Sequence, residues 1–385
     1  MKALRMRQLW IAAACCCTAV VATGKSTEEF TSTTLDNGGA PFHMRQRHLE
    51  EPQSTARKNK RSHKHGDHQT KSYPQKFRNV IFMVPDGCDQ AVQTLARWYR
   101  RDNHLQLDEL ATAQITTHMA NSVITDSAAA ATAFATGHKT TVNFVSVGPR
   151  ERDLLTMYTN GTENSASTEP FAPLATLLEA AHSIGKATGL VSTSRTTHAT
   201  PAAFASHVDH RDKEQDIMEQ LVFSKVDVVL GGGKAFLLPA PRCSNGVSIG
   251  QRTDCQDLQT VLFERGYQFI ETNEELRQIR VDQKVFGMFA DSHMSPDVDR
   301  PLLAPNQPSL ADMTRAAINV LSESQKDGFF LLVEGSLVDL AGHNNDVSAK
   351  TRCIVIRLQE IFVCLTLTYQ HINPGLFNDD RVSSL

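Results

Sequence analysis

The sequence predicts an α/β fold, with a mostly parallel central sheet and helices on both faces. Two observations carry this. Short apolar or β-branched runs recur at 79–84, 122–125, 187–192, 226–231, 285–290 and 329–333. Helical patterns such as Ala91–Tyr99, Phe171–Ile184 and Ala311–Leu321 fall between them. A third observation concerns function: several of these runs end on a carboxylate or a hydroxyl. Ligands of open α/β sheets gather at the C-terminal ends of the strands.

Met1 to Gly24 has the pattern of a secretory signal. Lys2, Arg5 and Arg7 form a basic start, Leu9 to Ala22 an apolar run and Ala22-Thr23-Gly24 a small-residue cleavage site. The apolar run is shorter than the ~20 residues that a membrane span needs. Residues 25–76 are polar, with few aliphatics and a basic, histidine-bearing run from Arg57 to Lys71, and read as a disordered linker or pro-segment. The run Asn79 to Val84 ends in Pro85-Asp86-Gly87, which puts a carboxylate just past a strand. The β-branched run Val123-Ile124-Thr125 leads into Asp126-Ser127 and an alanine-rich helix closing at Thr136-Gly137. Ser127 therefore stands where a strand hands over to a helix N-terminus, a place that favours bound anions.

Residues 187–192 lead into Thr193 to Val208, with His198 and Thr200-Pro201-Ala202-Ala203, and then Arg211. The segment 234–284 reads as a surface insertion plus a helix. Within it Cys243 and Cys255 bracket a polar loop suited to a disulfide in an oxidising compartment. The run Phe329 to Val333 reads as a buried strand that delivers Glu334. Asp339 and His343 are four residues apart, so a helix there puts both on one face, a usual spacing for metal ligands. Taken singly, each of these residues has a plain structural reading. Ser127 is then a helix cap, Asp86-Gly87 a turn, Arg211 a surface charge and Asp339/His343 a helix-surface pair.

Together they resemble the ordered motifs of the alkaline phosphatase family. The resemblance rests on Asp86-Gly87, Thr125-Asp126-Ser127, His198-Ala199-Thr200-Pro201-Ala202-Ala203, and Glu334-Gly335-Ser336-Leu337-Val338-Asp339 with Gly342-His343. It covers roughly residues 77 to 350. It implies an α/β/α sandwich and a secreted enzyme that hydrolyses phosphomonoesters through a phosphoserine intermediate, with zinc and magnesium as cofactors and a homodimeric assembly. By the same resemblance Ser127 is the nucleophile and Arg211, eleven residues after Thr200, clamps phosphate with Asp126 orienting it. Asp86 bridges the second zinc and the magnesium. Thr200 and Glu334 complete the magnesium ligands, and Asp339 and His343 hold the first zinc. His198 stands where relatives carry aspartate or histidine, acting mainly from outside the ligand shell. Leu340 stands where they carry Lys, His or Trp.

The family pattern continues past Lys350 to an Asp-His pair and a later His-Thr-Gly segment, whereas here Thr351 to Leu385 is a divergent tail. The expectation is therefore a domain truncated at its C-terminus, with an intact magnesium site, two incomplete zinc sites, poor or no turnover and an uncovered sheet edge, the alternative being a catalytically inactive relative that binds phosphate or magnesium. The tail is apolar, but Arg352, Arg357 and Glu360 speak against a membrane span. With 39 basic and 42 acidic residues the formal charge is −3, which gives no case for nucleic-acid binding. Asn160-Gly161-Thr162 is a glycosylation acceptor, consistent with secretion.

Overall fold

The computed structural model describes residues 9–15, 18–23, 78–101, 104–105, 108, 111–150, 171–244, 246, 248, 250–349 and 351. The linker 25–76, the tail from Arg352 and Asn160 lie outside these described residues. Among the described residues nine strands form one sheet: β1 Leu9–Cys15, β2 Thr18–Thr23, β3 Asn79–Val84, β4 Ala111–Gln114, β5 Ala187–Arg195, β6 Val228–Gly232, β7 Gln268–Ile270, β8 Val285–Met288 and β9 Phe329–Glu334. Their spatial order is β4-β2-β1-β3-β9-β5-β6-β8-β7. The stretch from β3 to β7 is wholly parallel. β1 adds to β3 in parallel, while β2 pairs antiparallel with β1 and with β4. β1, part of the run read as a secretory signal, lies beside β3, and β4 and β7 stand at the two ends of the sheet.

Two apolar layers cover the sheet, and the strand residues alternate between them as the period of two requires. Leu190, Val229 and Leu332 face one layer, with α3 Leu177–Ser183, α4 Ala199–Ala205, α5 Glu214–Phe223 and α6 Leu258–Glu264. Val191, Leu230 and Leu331 face the other, with α7 Asn273–Arg277 and α9 Leu310–Glu323. The central strand β9 is buried along its whole length, which is why its sequence is a continuous apolar run. Each fully buried Phe, Leu or Val there contributes about 1.5–3 kcal/mol. The remaining helices are α1 Gln90–Arg100, α2 Ser127–Thr136, α8 Arg300–Leu303 and α10 Leu337–His343.

Three expectations need correction. Residues 122–125 form no strand: Met119 N–H donates to the Ser122 carbonyl, Ile124 N–H donates to Ser122 Oγ, and Val123 and Ile124 are exposed. β-branched residues fit a pleated surface only where a partner strand supplies one. The helix read from Phe171 starts only at Leu177, because Thr176 and Glu179 form a reciprocal capping box there. The segment 234–284 is more than an insertion, since β7 within it extends the parallel sheet beside β8. The same segment carries the disulfide, which the structure forms between Cys243 and Cys255.

Candidate active site

The site is assembled at the C-terminal ends of β3, β9 and β5. Strand register sets Val84 beside Glu334, and Glu334 beside Ser192. Asp86 follows two residues after Val84 and is buried. Gly87 then turns the chain with φ +62°. A Cβ on Gly87 would lie 2.5 Å from Asp339 Oδ1 and 2.8 Å from Asp339 Cα, so only glycine lets α10 press against this turn.

Asp126, not Ser127, caps α2. Its carboxylate accepts from the N–H groups of Ala128 at 3.3 Å, Ala129 at 3.1 Å and Asn143 at 3.1 Å. This leaves the Ser127 hydroxyl free to donate to Asp86 Oδ2 at 3.4 Å. Alanine at 128, 129, 131 and 135, all buried, lets the helix pack closely behind it. Arg211 is tied by its backbone N–H to the Asn143 carbonyl at 2.8 Å. Its guanidinium stands 3.7 Å from Asp126 Oδ2 and 3.0 Å from His198 Nε2. A guanidinium can only donate, so His198 Nε2 accepts and its proton sits on Nδ1. That Nδ1 is buried without a hydrogen-bond partner.

Burial, joined by the charges of Glu334 and Asp339, pushes the Asp86 carboxyl up to about 8. Burial also raises Glu334, against the pull of hydrogen bonds from Ser192, Ser336, Thr200 and Ser194. Burial and the neighbouring Arg211 charge push His198 down to about 3, so it is neutral, with its one lone pair turned to Arg211. Ligand atoms of Asp86, His198 and Glu334 lie within 4.8 Å of one another. One oxygen of this group, Glu334 Oε1, is buried and unbonded. Crowded carboxylates with an orphaned oxygen fit a divalent cation, which would offset the mutual repulsion.

Thr200, the expected third magnesium ligand, is buried in the first turn of α4. Asp339 and His343 share one helix face as their spacing predicts, with His343 Nε2 3.3 Å from Asp339 Oδ2 and the histidine largely exposed. Asp339 adjoins the three-residue cluster, pressed against Gly87 and acting by its charge on Asp86. Sequence reasoning missed Ser192, Ser194 and Ser336 around Glu334, and also His293, whose ring meets that of His198 edge-on at 5.5 Å. Alternation of Ser192 and Ser194 along one strand was the only local signal. A cleft of about 380 Å³ lined by Lys234, Glu271, Asp291 and Ser292, among others, shares only His293 with this group.

The family model for alkaline phosphatase matches residues 77–359. The chain belongs to the alkaline phosphatase family. It is 34% identical to the repressible alkaline phosphatase of Saccharomyces cerevisiae over 306 residues, covering 73% of this chain and 50% of that protein. It is 36% identical to alkaline phosphatase 3 of Bacillus subtilis over 287 residues, covering 70% of this chain and 53% of that protein. The alkaline phosphatase of Thermus thermophilus superposes with a TM-score of 0.63 at 30% identity, over 78% of this chain and 58% of that one. The chain thus spans about half the length of the curated relatives it matches. Alkaline phosphatases are metal-dependent, and the cluster of Asp86, His198 and Glu334 suits that requirement.

Proposed function

We propose that this chain carries the reaction centre of a secreted, metal-dependent phosphomonoesterase that works through a phosphoserine at Ser127. The observation that carries the reading is the Ser127 hydroxyl at the first residue of α2, 3.4 Å from Asp86, with Arg211 held beside Asp126. Asp86, Glu334 and Thr200 are the oxygen donors that would hold magnesium, with His198 close by. Asp339 and His343, and separately Asp86 with Ser127, would supply zinc ligands. The ions, when bound, lower the pKa of the serine and stabilise charge on the attacking and leaving oxygens.

The chain's own residues bind and orient. The guanidinium of Arg211 presents paired N–H groups to two phosphate oxygens, and the N-terminus of α2 adds its dipole. Asp86 accepts the Ser127 hydrogen bond and aims Oγ at the phosphorus. Attack forms the Ser127 Oγ–P bond as the hydroxyl gives up its proton, and breaks the P–O bond to the alcohol, which leaves and takes up a proton in turn. Water then cleaves the phosphoserine, releasing inorganic phosphate and restoring the hydroxyl. Export is supported by the Cys243–Cys255 disulfide, since such bonds persist in oxidising compartments.

The test is incubation of the whole chain with radiolabelled inorganic phosphate, zinc and magnesium at low pH, followed by acid quench. Acid-stable label on the parent and none on Ser127→Ala is the expected result. Label that persists on Ser127→Ala would overturn the assignment.

A further inference from the structure

Behind Glu334 lies a ring of three buried hydroxyls. Ser192 Oγ is 2.8 Å from Ser194 Oγ and 2.8 Å from Ser336 Oγ, and Ser336 Oγ is 3.0 Å from Ser194 Oγ. None of the three side chains reaches solvent. Two of them occupy alternate positions of β5, where a parallel core strand ordinarily carries Val, Ile or Leu. A buried hydroxyl without a partner costs about 1–3 kcal/mol, so the ring must have something to bond. Its shared acceptor is one carboxylate oxygen. Ser192 Oγ donates to Glu334 Oε2 at 2.6 Å, and Ser194 Oγ reaches the same atom at 3.4 Å.

Counting protons gives the ring a direction. Each serine has one to donate, and a carboxylate is the strongest acceptor present, so the Ser192 proton goes to Glu334. Ser192 Oγ must then accept from its neighbours. The Ser194 backbone N–H supplies one bond at 3.1 Å, and a hydroxyl of the ring supplies the other. Ser336 is itself fixed, because its N–H donates to Thr193 Oγ1 at 3.1 Å. Oε2 is thus held chiefly by Ser192, with Ser194 shared between it and the Arg195 carbonyl at 3.1 Å and Ser336 bracing both serines, while Oε1 of the same group is buried with no hydrogen bond.

We infer that Ser192, Ser194 and Ser336 are positioning residues that clamp Glu334 by Oε2 and present Oε1 as a ligand atom to a cation held with Asp86. The clamp rests on the metal-site reading above. It spares Glu334 the rotamer entropy that binding would otherwise remove. Partners that orient a ligand in this way typically change metal affinity about 10–100-fold when removed.

The experiment is calorimetric titration of the metal-stripped whole chain with Mg²⁺, with circular dichroism and a denaturant midpoint recorded for every variant. Ser192→Ala should bind Mg²⁺ about 10–100-fold more weakly than the parent, and Ser336→Ala should shift the same way. Ser192→Thr, which keeps the hydroxyl, should recover most of the affinity. Unchanged Mg²⁺ affinity in Ser192→Ala overturns the clamp. So does a loss that Ser192→Thr fails to recover and that tracks the denaturant midpoint, since that is the behaviour of a purely structural ring. If Ser192→Ala does not fold, Ser336→Ala decides by the same criterion. A parent that binds no Mg²⁺ overturns the metal-site reading, and the clamp with it.

Discussion

Gly87→Ala should damage the protein through one contact. The residue has φ +62°, which costs an alanine about 1–2 kcal/mol. The new methyl would also lie 2.5 Å from Asp339 Oδ1, 2.8 Å from its Cα and 2.9 Å from its Cβ. A carboxylate oxygen can rotate away, but a helix Cα cannot, so α10 must shift. Overpacking of this kind costs about 1–3 kcal/mol. Together the two effects predict a loss of about 2–5 kcal/mol, or roughly 5–15 °C in melting temperature for a domain of this size. Gly137 supplies the control. It has a similar φ of +74°, yet a Cβ there would meet nothing within 4 Å. Gly137→Ala should therefore show the backbone cost alone. Thermal unfolding followed by circular dichroism separates the two, and Gly87→Ala melting within about 2 °C of Gly137→Ala would refute the steric argument.

Two further outcomes follow from the same geometry. Arg211→Ala should weaken inorganic phosphate binding about 10–150-fold, the worth of hydrogen bonds to a charged group, and Arg211→Lys should restore little of it because the paired N–H geometry is lost. Calorimetry with phosphate checks this, and unchanged affinity would remove Arg211 from the phosphate site. His207 gives a pH dependence. Burial alone would lower its pKa, but Glu179 at 2.9 Å and the Ser146 carbonyl at 2.8 Å outweigh it and raise the value above the ordinary 6.5. Glu179 is lowered in turn, its bonds to His207 and Thr176 overcoming burial. A raised histidine stabilises below its unfolded value and loses that contribution as pH rises through the folded one. The lowered glutamate loses its own as pH falls. Denaturant midpoints should therefore fall on raising pH past about 6.5, and Glu179→Gln should flatten that fall. A parent midpoint that is level across this range would contradict the pairing.

Much of the framework was legible in the chain because it depends on neighbours in sequence. The runs at 79–84, 187–192, 226–231, 285–290 and 329–333 all fall on observed strands, since burial on both faces demands contiguous apolar residues. Asp126-Ser127 marks a helix start, and Asp339 and His343 share a helix face, for equally local reasons. The failures were local patterns whose outcome was set elsewhere. Val123-Ile124 has strand chemistry but no strand to pair with among the described residues, and β7 looked like loop until β8 lay beside it.

At the site the division is sharper. Sequence alone supplied Asp86, Ser127, Glu334 and Arg211 as candidates, because their residue types and order resemble a known pattern. It said nothing of how the residues are charged or aimed. Asp86 rises to about 8 because burial, Glu334 and Asp339 act on it together, and only folding brings those groups within range. Ser192 looked like any strand serine. Its partner lies 142 residues away, placed by the register of β5 against β9. A hydroxyl has no preference for a distant carboxylate that composition could reveal. The sheet, by setting two strands side by side at one register, made that serine part of a site.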